Sequence, residues 1–126
     1  MVKLISLVYR KKGTSDEDFY THWREIHGPL VARSIPFATR YIQNHPLQWQ
    51  GLTYDADGIV EMWFETADHV RRYLEWRDTA EATELKADED RFQDFRRTRR
   101  FVVQEFQFET TGRPWYAGTG LPDGAG

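Results

Sequence analysis

Apolar side chains recur along the chain in short runs that predict four strands. Residues 2–9 are rich in Val, Leu, Ile and Tyr. Apolar side chains occur at both the odd and the even positions, as expected for a strand covered on both faces. Residues 39–45, 59–65 and 101–108 are further β-rich runs. A polar loop that starts at Pro46 and ends at the turn formers Asp57 and Gly58 separates the second run from the third.

The first helix is predicted to begin near Asp16, because Ser15 and Asp18 form a start that is similar to a capping box. An apolar stripe then recurs at spacings of four, three and four residues, formed by Phe19, Trp23, Ile26 and Leu30. Pro29 removes a backbone donor inside this stripe, so we expect a kink or break after residues 27–28 and an end by residue 35.

Two further helical segments are predicted, at residues 67–83 and 88–98. The first has an amphipathic pattern carried by Val70, Tyr73, Leu74 and Arg77. The complete order is βαββαβ, the ferredoxin-like motif of the α+β class, with a four-stranded antiparallel sheet and helices on one face. The other sheet face would stay exposed, and large exposed apolar faces mark interfaces, so we expect a homodimer that completes the fold and its pocket.

The composition narrows the possible partners and compartments. The chain has 126 residues, 40% of them hydrophobic and 15% aromatic, which fits one domain with a substantial core. A net charge of −3 gives no general attraction to nucleic acid, and the absence of cysteine excludes disulfides and thiolate chemistry. The apolar run at the start of the sequence is too short, and alternates too much with polar residues, for a signal peptide. No apolar stretch is long enough to cross a membrane, so we expect a cytoplasmic protein.

The last residues differ from the rest in composition. Residues 109–126 are rich in Gly and Pro and predict an extended or partly disordered arm after a domain at residues 1–108. The arm contains the segment Pro114, Trp115 and Tyr116. Large aromatic residues in such an arm indicate either an anchor on the partner subunit or plain disorder.

Six stretches of sequence, taken in order, form a wider pattern. They are LVYRKK at 7–12, SDEDF at 15–19 with Trp23 after it, HGPL at 27–30, RYIQNH at 40–45, DGIVEMWF at 57–64 and FVVQE at 101–105. Together they resemble the EthD family of dimeric α/β-barrel proteins over roughly residues 3–108. The resemblance implies a ferredoxin-like domain that dimerises into an α/β barrel.

The resemblance also implies a range of activities. Relatives in the superfamily act as muconolactone isomerases, polyketide cyclases, monooxygenases and dehydratases, and the fold does not choose among them. We expect a lyase or isomerase that needs no cofactor and acts on a small hydrophobic cyclic or aromatic metabolite by dehydration, cyclisation or isomerisation. The alternatives are a non-catalytic binding protein for such a metabolite and a cofactor-free monooxygenase. One histidine could still ligate a haem.

His27 is the first candidate for proton transfer, since imidazole titrates near neutrality and can take and return a proton. It also matches the helix-one histidine of the family that the chain resembles. The alternative is a structural histidine satisfied by hydrogen bonds. His22 lies five residues earlier on the other side of the apolar stripe, so the pair is not expected to share a face or to hold a metal.

Tyr41, Gln43 and His45 share one face of the second strand, because strand side chains alternate. They either line a pocket, with Tyr41 and His45 as catalytic groups, or form the solvent side of an edge strand. On the third strand Glu61 shares a face with Ile59 and Trp63. Its carboxyl either has a raised pKa and acts as a base, or pairs with Arg40 or another arginine.

Substrate contacts are expected from aromatic and polar side chains near these candidates, namely Trp23, Gln43, Trp63, His22 and Tyr9. The run from Arg91 to Arg100 combines arginines with two phenylalanines, which is one pattern of RNA binding. Acidic residues alternate with these arginines, so we interpret the run as a solvated, salt-bridged face; they are Asp88, Glu89, Asp90 and Asp94.

Overall fold

Residues 1–115 are described by a computed structural model. The strands are β1 (Val2–Val8), β2 (Arg40–Asn44), β3 (Gly58–Phe64) and β4 (Arg99–Gln104). The α-helices are α1 (Asp16–His22), α2 (Gly28–Ser34), α3 (Ala67–Trp76) and α4 (Thr83–Phe92). A π-helical turn, Trp23–His27, joins α1 to α2, and short 3-10 turns lie at Ala80–Ala82 and Phe95–Arg97. Within this part of the chain no helix is long and apolar enough to cross a membrane.

The four strands form one antiparallel sheet in the order β2-β3-β1-β4, which is the ferredoxin-like order. The predicted fold class is therefore confirmed. One sheet face packs against the helices, and its core is dominated by large side chains, among them Leu4, Phe19, Trp23, Phe64, Tyr73 and Phe92. The residues that alternate with these point to the second face, which exposes part of Ile59 and Phe101.

Several predicted boundaries were wrong, each for a local reason. Helix α3 ends at Trp76 instead of residue 83. At this end the Thr79 hydroxyl donates to the Trp76 carbonyl oxygen at 2.7 Å and closes the last turn. The next helix begins at Thr83, earlier than residue 88. Strand β4 spans Arg99–Gln104 instead of 101–108, because its ladder runs out where Gln104 meets Val2, the first residue of β1.

The first helix begins where the sequence predicts. Ser15 is its N-cap and accepts a hydrogen bond from the Asp18 backbone N–H at 3.1 Å. Residues 105–115 have no helix or strand and are exposed. Of the predicted arm, residues 116–126 lie outside the described residues, and with them Tyr116 of the aromatic anchor predicted at Pro114, Trp115 and Tyr116. The division at residue 108 stays a prediction.

Of the kink or break predicted after residues 27–28, no break is present: a π-helical turn leads directly into α2, which ends at Ser34, in agreement with the predicted end by residue 35. The Gly28 N–H donates to the Trp23 carbonyl oxygen, five residues back, so the turn contains one residue more than an α-helical turn. The helix beyond the turn is rotated accordingly. Ile26, predicted to be in the buried stripe, is 55% exposed, whereas His27 is only 3% exposed. The π turn therefore puts an imidazole where the α-helical period predicted an isoleucine.

Candidate functional site

A small cavity lies between the helix-covered sheet face and the helices. Its volume is about 40 Å³, and its polar and aromatic lining includes Trp23, His27, Tyr41, Arg77, Glu89 and Arg100. This volume holds a few water molecules at most. A ring-sized ligand therefore needs side chains of the lining to move outward, and among these Arg100 is exposed and Phe95 is half-buried.

His27 is held in the cavity wall by Asp88 on helix α4. The His27 Nδ1–H donates to Asp88 Oδ2 at 2.8 Å, since a carboxylate can only accept. This bond fixes the tautomer in which Nε2 is unprotonated, and Nε2 makes no hydrogen bond within residues 1–115. Burial lowers the pKa of His27 and outweighs the raising effect of Asp88. The ring is therefore neutral near pH 7 and can accept a proton at Nε2.

His22 joins the same carboxylate, which corrects the expectation that it does not share a face with His27. Its Nε2 lies 2.9 Å from Asp88 Oδ1 and 3.1 Å from Oδ2. The π turn is the physical reason, because it holds one residue more than an α-helical turn and so brings positions 22 and 27 to the same side of the helix. Arg91 also donates to Asp88 Oδ1, at 3.0 Å.

Asp88 is thus the centre of a buried network instead of part of the solvated face predicted from the alternating charges. The residue is 1% exposed. Burial tends to raise the pKa of Asp88, but hydrogen bonds from His27, Arg91 and His22 together hold it below its ordinary value. The carboxyl group therefore stays ionised near neutral pH and keeps the His27 imidazole oriented.

Tyr41 and Gln43 on strand β2 form a hydrogen-bonded chain with His45, the first residue after the strand, on the face that meets the helices. His45 Nε2 lies 2.7 Å from Gln43 Oε1, and Gln43 Nε2 donates to the Tyr41 hydroxyl oxygen at 3.0 Å. Gln43 also donates to the Trp23 carbonyl oxygen at 2.7 Å, at the π turn. Burial raises the pKa of Tyr41 to about 12, so the phenol stays protonated near neutrality. Its O–H can donate into the cavity.

The aromatic candidates occupy different places. Trp23 is completely buried, lines the cavity and stacks on the His45 ring at 4.3 Å between centroids. His45 is thereby packed behind Trp23 and does not line the His27 cavity. Tyr9 is buried at the end of β1, under the Arg97 guanidinium, and is not in the cavity wall either. Of the predicted substrate contacts on this side of the sheet, Trp23 is the one that lines the cavity.

Glu61 and Trp63 lie on the opposite face of the sheet from His27. Glu61 Oε1 accepts a hydrogen bond from Lys3 Nζ at 2.7 Å, and Asn44 donates to its other oxygen. These bonds lower the pKa of Glu61, so its interpretation as a base with a raised pKa is wrong. A salt bridge is present as the alternative had it, but its partner is Lys3 instead of an arginine. Lys3 also stands over the Trp63 ring, 4.3 Å from its centroid.

Arg77 and Glu89 form an ion pair in the cavity wall that the sequence interpretation missed. Arg77 Nη2 donates to Glu89 Oε1 at 2.6 Å and Nη1 to Oε2 at 3.0 Å, and both residues are buried. Burial opposes the charge on Arg77, but the hydrogen bonds and negative charge of Glu89 raise its pKa above the ordinary value. The sequence did contain a sign of this ion pair. Arg77 occupies a core-facing position of the amphipathic pattern predicted over residues 67–83, and a buried arginine requires a carboxylate nearby.

No group of three or more His, Cys, Asp or Glu side chains within residues 1–115 is arranged to hold a metal ion. The chemistry that these residues themselves provide is proton transfer. His27 supplies a neutral base oriented by a carboxylate, and Tyr41 supplies a neutral acid in the same cavity. Such a pair can remove a proton from carbon and stabilise the oxyanion that results.

The family model of the EthD domain matches residues 11–96 of the chain. Among solved structures, an ethyl tert-butyl ether D (EthD) family protein from Bacillus halodurans C-125 has a TM-score of 0.64 and 19% identity, covering 84% of this chain and 99% of that one. A dimeric protein of unknown function with a ferredoxin-like fold, from Bacteroides fragilis NCTC 9343, has a TM-score of 0.57 and 14% identity over 82% and 95%.

SnoaB, a cofactor-independent oxygenase from Streptomyces nogalater, has a TM-score of 0.54 and 12% identity, covering 85% of this chain and 94% of that one. No curated protein sequence matches the chain. Identities this low establish a common fold, and the chemistry has to be argued from the residues of the cavity.

Proposed function

The chain belongs to the EthD family, and we propose that it is an acid–base enzyme, a lyase or isomerase, that acts on a small cyclic or aromatic metabolite without a cofactor. The observation that carries the proposal is the hydrogen bond between His27 Nδ1 and Asp88 Oδ2, which leaves Nε2 free in the cavity wall. A neutral imidazole oriented by a carboxylate is the usual form of a general base.

In the proposed reaction His27 Nε2 takes a proton from a carbon next to a carbonyl group. Negative charge then develops on the carbonyl oxygen, and the Tyr41 O–H donates a hydrogen bond to it. The protonated His27 returns the proton to another carbon, which isomerises the substrate, or to a leaving hydroxyl group, which dehydrates it. The pKa of the phenol, about 12, suits a hydrogen-bond donor that does not itself ionise.

The lining of the cavity supports a flat, largely apolar substrate. Trp23 and Tyr73 contribute aromatic surface, and Val60, Met62 and Leu85 contribute aliphatic surface. Aromatic faces bind flat rings well, and a few polar groups then fix their orientation.

A cofactor-independent oxygenase is the second candidate, supported by the fold shared with SnoaB. The same base would deprotonate an electron-rich phenol, and the phenolate would react with dioxygen. Consumption of dioxygen during turnover separates this reaction from an isomerisation or dehydration, in which no dioxygen is consumed.

The test is a panel of lactones, phenols and hydroxylated aromatic compounds incubated with wild type, His27→Gln and a control, His69→Gln. His69 lies in helix α3, against Phe37, and does not line the cavity. Product masses and ligand-induced thermal shifts are measured for each protein. We expect turnover in wild type and the control, and binding without turnover in His27→Gln.

Binding without turnover in all three proteins would instead support a carrier of a hydrophobic metabolite. Turnover that survives His27→Gln would exclude His27 as the base. Dichroism spectra and unfolding curves of the three proteins separate a catalytic loss from a folding defect.

We also propose that the protein is a homodimer joined through the second sheet face. This face presents apolar side chains from β1, β3 and β4, including Ile5, Leu7, Ile59, Phe101 and Val103. The similar structure from Bacteroides fragilis is described as dimeric. Phe101→Asp should give monomers in analytical ultracentrifugation, whereas Ile26→Asp, on the exposed helix surface, should not.

A further inference from the structure

The cavity that contains His27 also has a cationic part, formed by Arg77 and Arg100 with Thr98. We propose that this part is a carboxylate-binding subsite, so that the substrate is a small cyclic or aromatic carboxylic acid. The inference deepens the proposed function and rests on it for the identity of the reacting centre. Its own basis is a charge imbalance and an unpaired hydroxyl group, neither of which the proton-transfer residues explain.

The charges in this part of the cavity do not cancel. Arg77 is neutralised by Glu89 through two hydrogen bonds, of 2.6 and 3.0 Å. Arg100 lines the same cavity, but its guanidinium makes no hydrogen bond or salt bridge within residues 1–115 and lies against the Phe95 ring. Two guanidinium groups therefore face one carboxylate, which leaves one positive charge without a counter-charge.

Both guanidinium groups lie against the ring of Phe95. The Cζ atom of Arg77 is 4.9 Å and that of Arg100 5.0 Å from the centroid of the Phe95 ring. Burial and the positive charge of Arg77 lower the pKa of Arg100. An anion bound beside Arg100 would relieve this repulsion, which favours its binding.

Thr98 adds a hydrogen-bond donor. Its hydroxyl oxygen is buried, lines the cavity, and has no hydrogen-bond partner within residues 1–115. Buried polar groups in proteins are rarely left unpaired, so a hydroxyl in this state in the same cavity wall as an unpaired guanidinium favours a site that a ligand completes. An oxyanion can accept from both donors.

The net charge and the shape of the donors favour a carboxylate. One unpaired positive charge balances one carboxylate, whereas a phosphate dianion would leave excess negative charge beside Glu89. The planar guanidinium fork also matches the two oxygens of a carboxylate. The cavity of about 40 Å³ has to widen to admit such a ligand, and with the carboxylate at Arg100 its carbon skeleton would then face the wall that includes Val60, Leu85 and His27.

The experiment uses two acid–amide pairs as probes, benzoate with benzamide and cyclopropanecarboxylate with cyclopropanecarboxamide. Affinities are measured calorimetrically at neutral pH for wild type, Arg100→Gln and Thr98→Val. Arg99→Gln is the matched control, since Arg99 is the residue before Arg100 on β4 and points to the other face of the sheet. Because that face is the proposed dimer interface, sedimentation checks that Arg99→Gln keeps the oligomeric state of the wild type. His27→Gln is included as the variant of the reacting centre.

We expect the acids to bind wild type and Arg99→Gln with similar affinity, and His27→Gln to keep the preference for acid over amide. Arg100→Gln should lower that affinity by about tenfold to a hundredfold, the usual effect of a hydrogen bond to a charged group, and Thr98→Val by less. The amides should bind weakly to every protein. The inference is overturned if neither acid binds wild type, if acid and amide bind equally, or if Arg100→Gln and Arg99→Gln behave alike.

These outcomes are distinct from those of the turnover panel. If neutral compounds are turned over in a His27-dependent way while Arg100→Gln changes nothing, the proposed function holds and the carboxylate subsite is wrong. If the acids bind through Arg100 but nothing is turned over, the subsite holds and the proposed function is wrong. The side chain of Arg100 is exposed in part although its guanidinium is partly withdrawn from water, so dichroism checks that its substitution leaves the fold intact.

Discussion

The Nδ1 atom of His27 lies 2.8 Å from Oδ2 of Asp88, and this contact orients a buried imidazole with one nitrogen left for chemistry. Asp88→Asn keeps the size of the side chain but removes the charge that stabilises the Nδ1–H tautomer. We expect kcat to fall by about a hundredfold or more, with a much smaller change in KM. Nitrogen chemical shifts of His27 should show a loss of the single tautomer.

Asp90→Asn is the control for this substitution. Asp90 is two residues away on the same helix and exposed, and the contact it makes, with Lys11, is through its backbone oxygen. Asp90→Asn should leave both kcat and the nitrogen chemical shifts of His27 unchanged. If Asp88→Asn lowers kcat while His27 keeps its tautomer, Asp88 does not act through His27.

Stability should fall as the pH decreases below about 6.5, the ordinary pKa of a histidine. Burial lowers the pKa of His27 in the folded state, so between that lowered value and 6.5 the unfolded chain binds more protons than the folded one. Protonation then favours unfolding, and the effect vanishes above 6.5, where both states are neutral. The pKa of His45 is also lowered, by burial and by Arg24, and contributes in the same direction.

Urea unfolding at about pH 7.5 and 5.5 measures this dependence. His27→Gln should weaken it, and His27→Gln combined with His45→Gln should weaken it further. His69→Gln should retain the dependence of the wild type. Equal loss of stability in all four proteins would show that other groups cause it.

Tyr41 and Glu61 were both predicted as catalytic groups, and the sheet separates them. Tyr41→Phe removes the hydroxyl donor from the cavity, and we expect kcat to fall by about tenfold to a hundredfold. Gln43 keeps its bond to the Trp23 carbonyl, so the fold should be unaffected. Glu61→Gln should leave kcat unchanged, since the carboxylate is paired with Lys3 on the opposite face. A fall in kcat for Glu61→Gln alone would move the site to that face.

The strands and the start of the first helix could be predicted from the sequence, because alternation and the Ser15 cap are local signals. The burial of His27 could not be predicted from helical periodicity. One extra residue in the π turn exposes Ile26 and aligns His22 with His27. The only local sign was Pro29, which cannot donate within the helix and so favours an irregular turn before it.

The carboxylates of the site were hidden by their neighbours. Asp88 and Glu89 lie in a charged run that is typical of a solvated helix face, yet both are buried. Their partners, His27 and Arg77, come from segments 61 and 12 residues away along the chain. Pairing over such distances is decided by how the helices pack, and charge alternation in one segment carries no information about it.

Gly58 makes the close packing of the site possible, and its substitution is the last prediction. A Cβ atom at this position would lie 2.3 Å from Cη2 of Trp23, the residue that both lines the cavity and begins the π turn. Gly58→Ala should therefore destabilise the protein by about 1–3 kcal/mol, the usual cost of overpacking a core. Trp23→Phe removes the clashing ring, so Gly58→Ala should cost less in that background. Urea unfolding of the two single variants and the double variant measures this coupling, and additive effects would mean that the alanine does not press on Trp23.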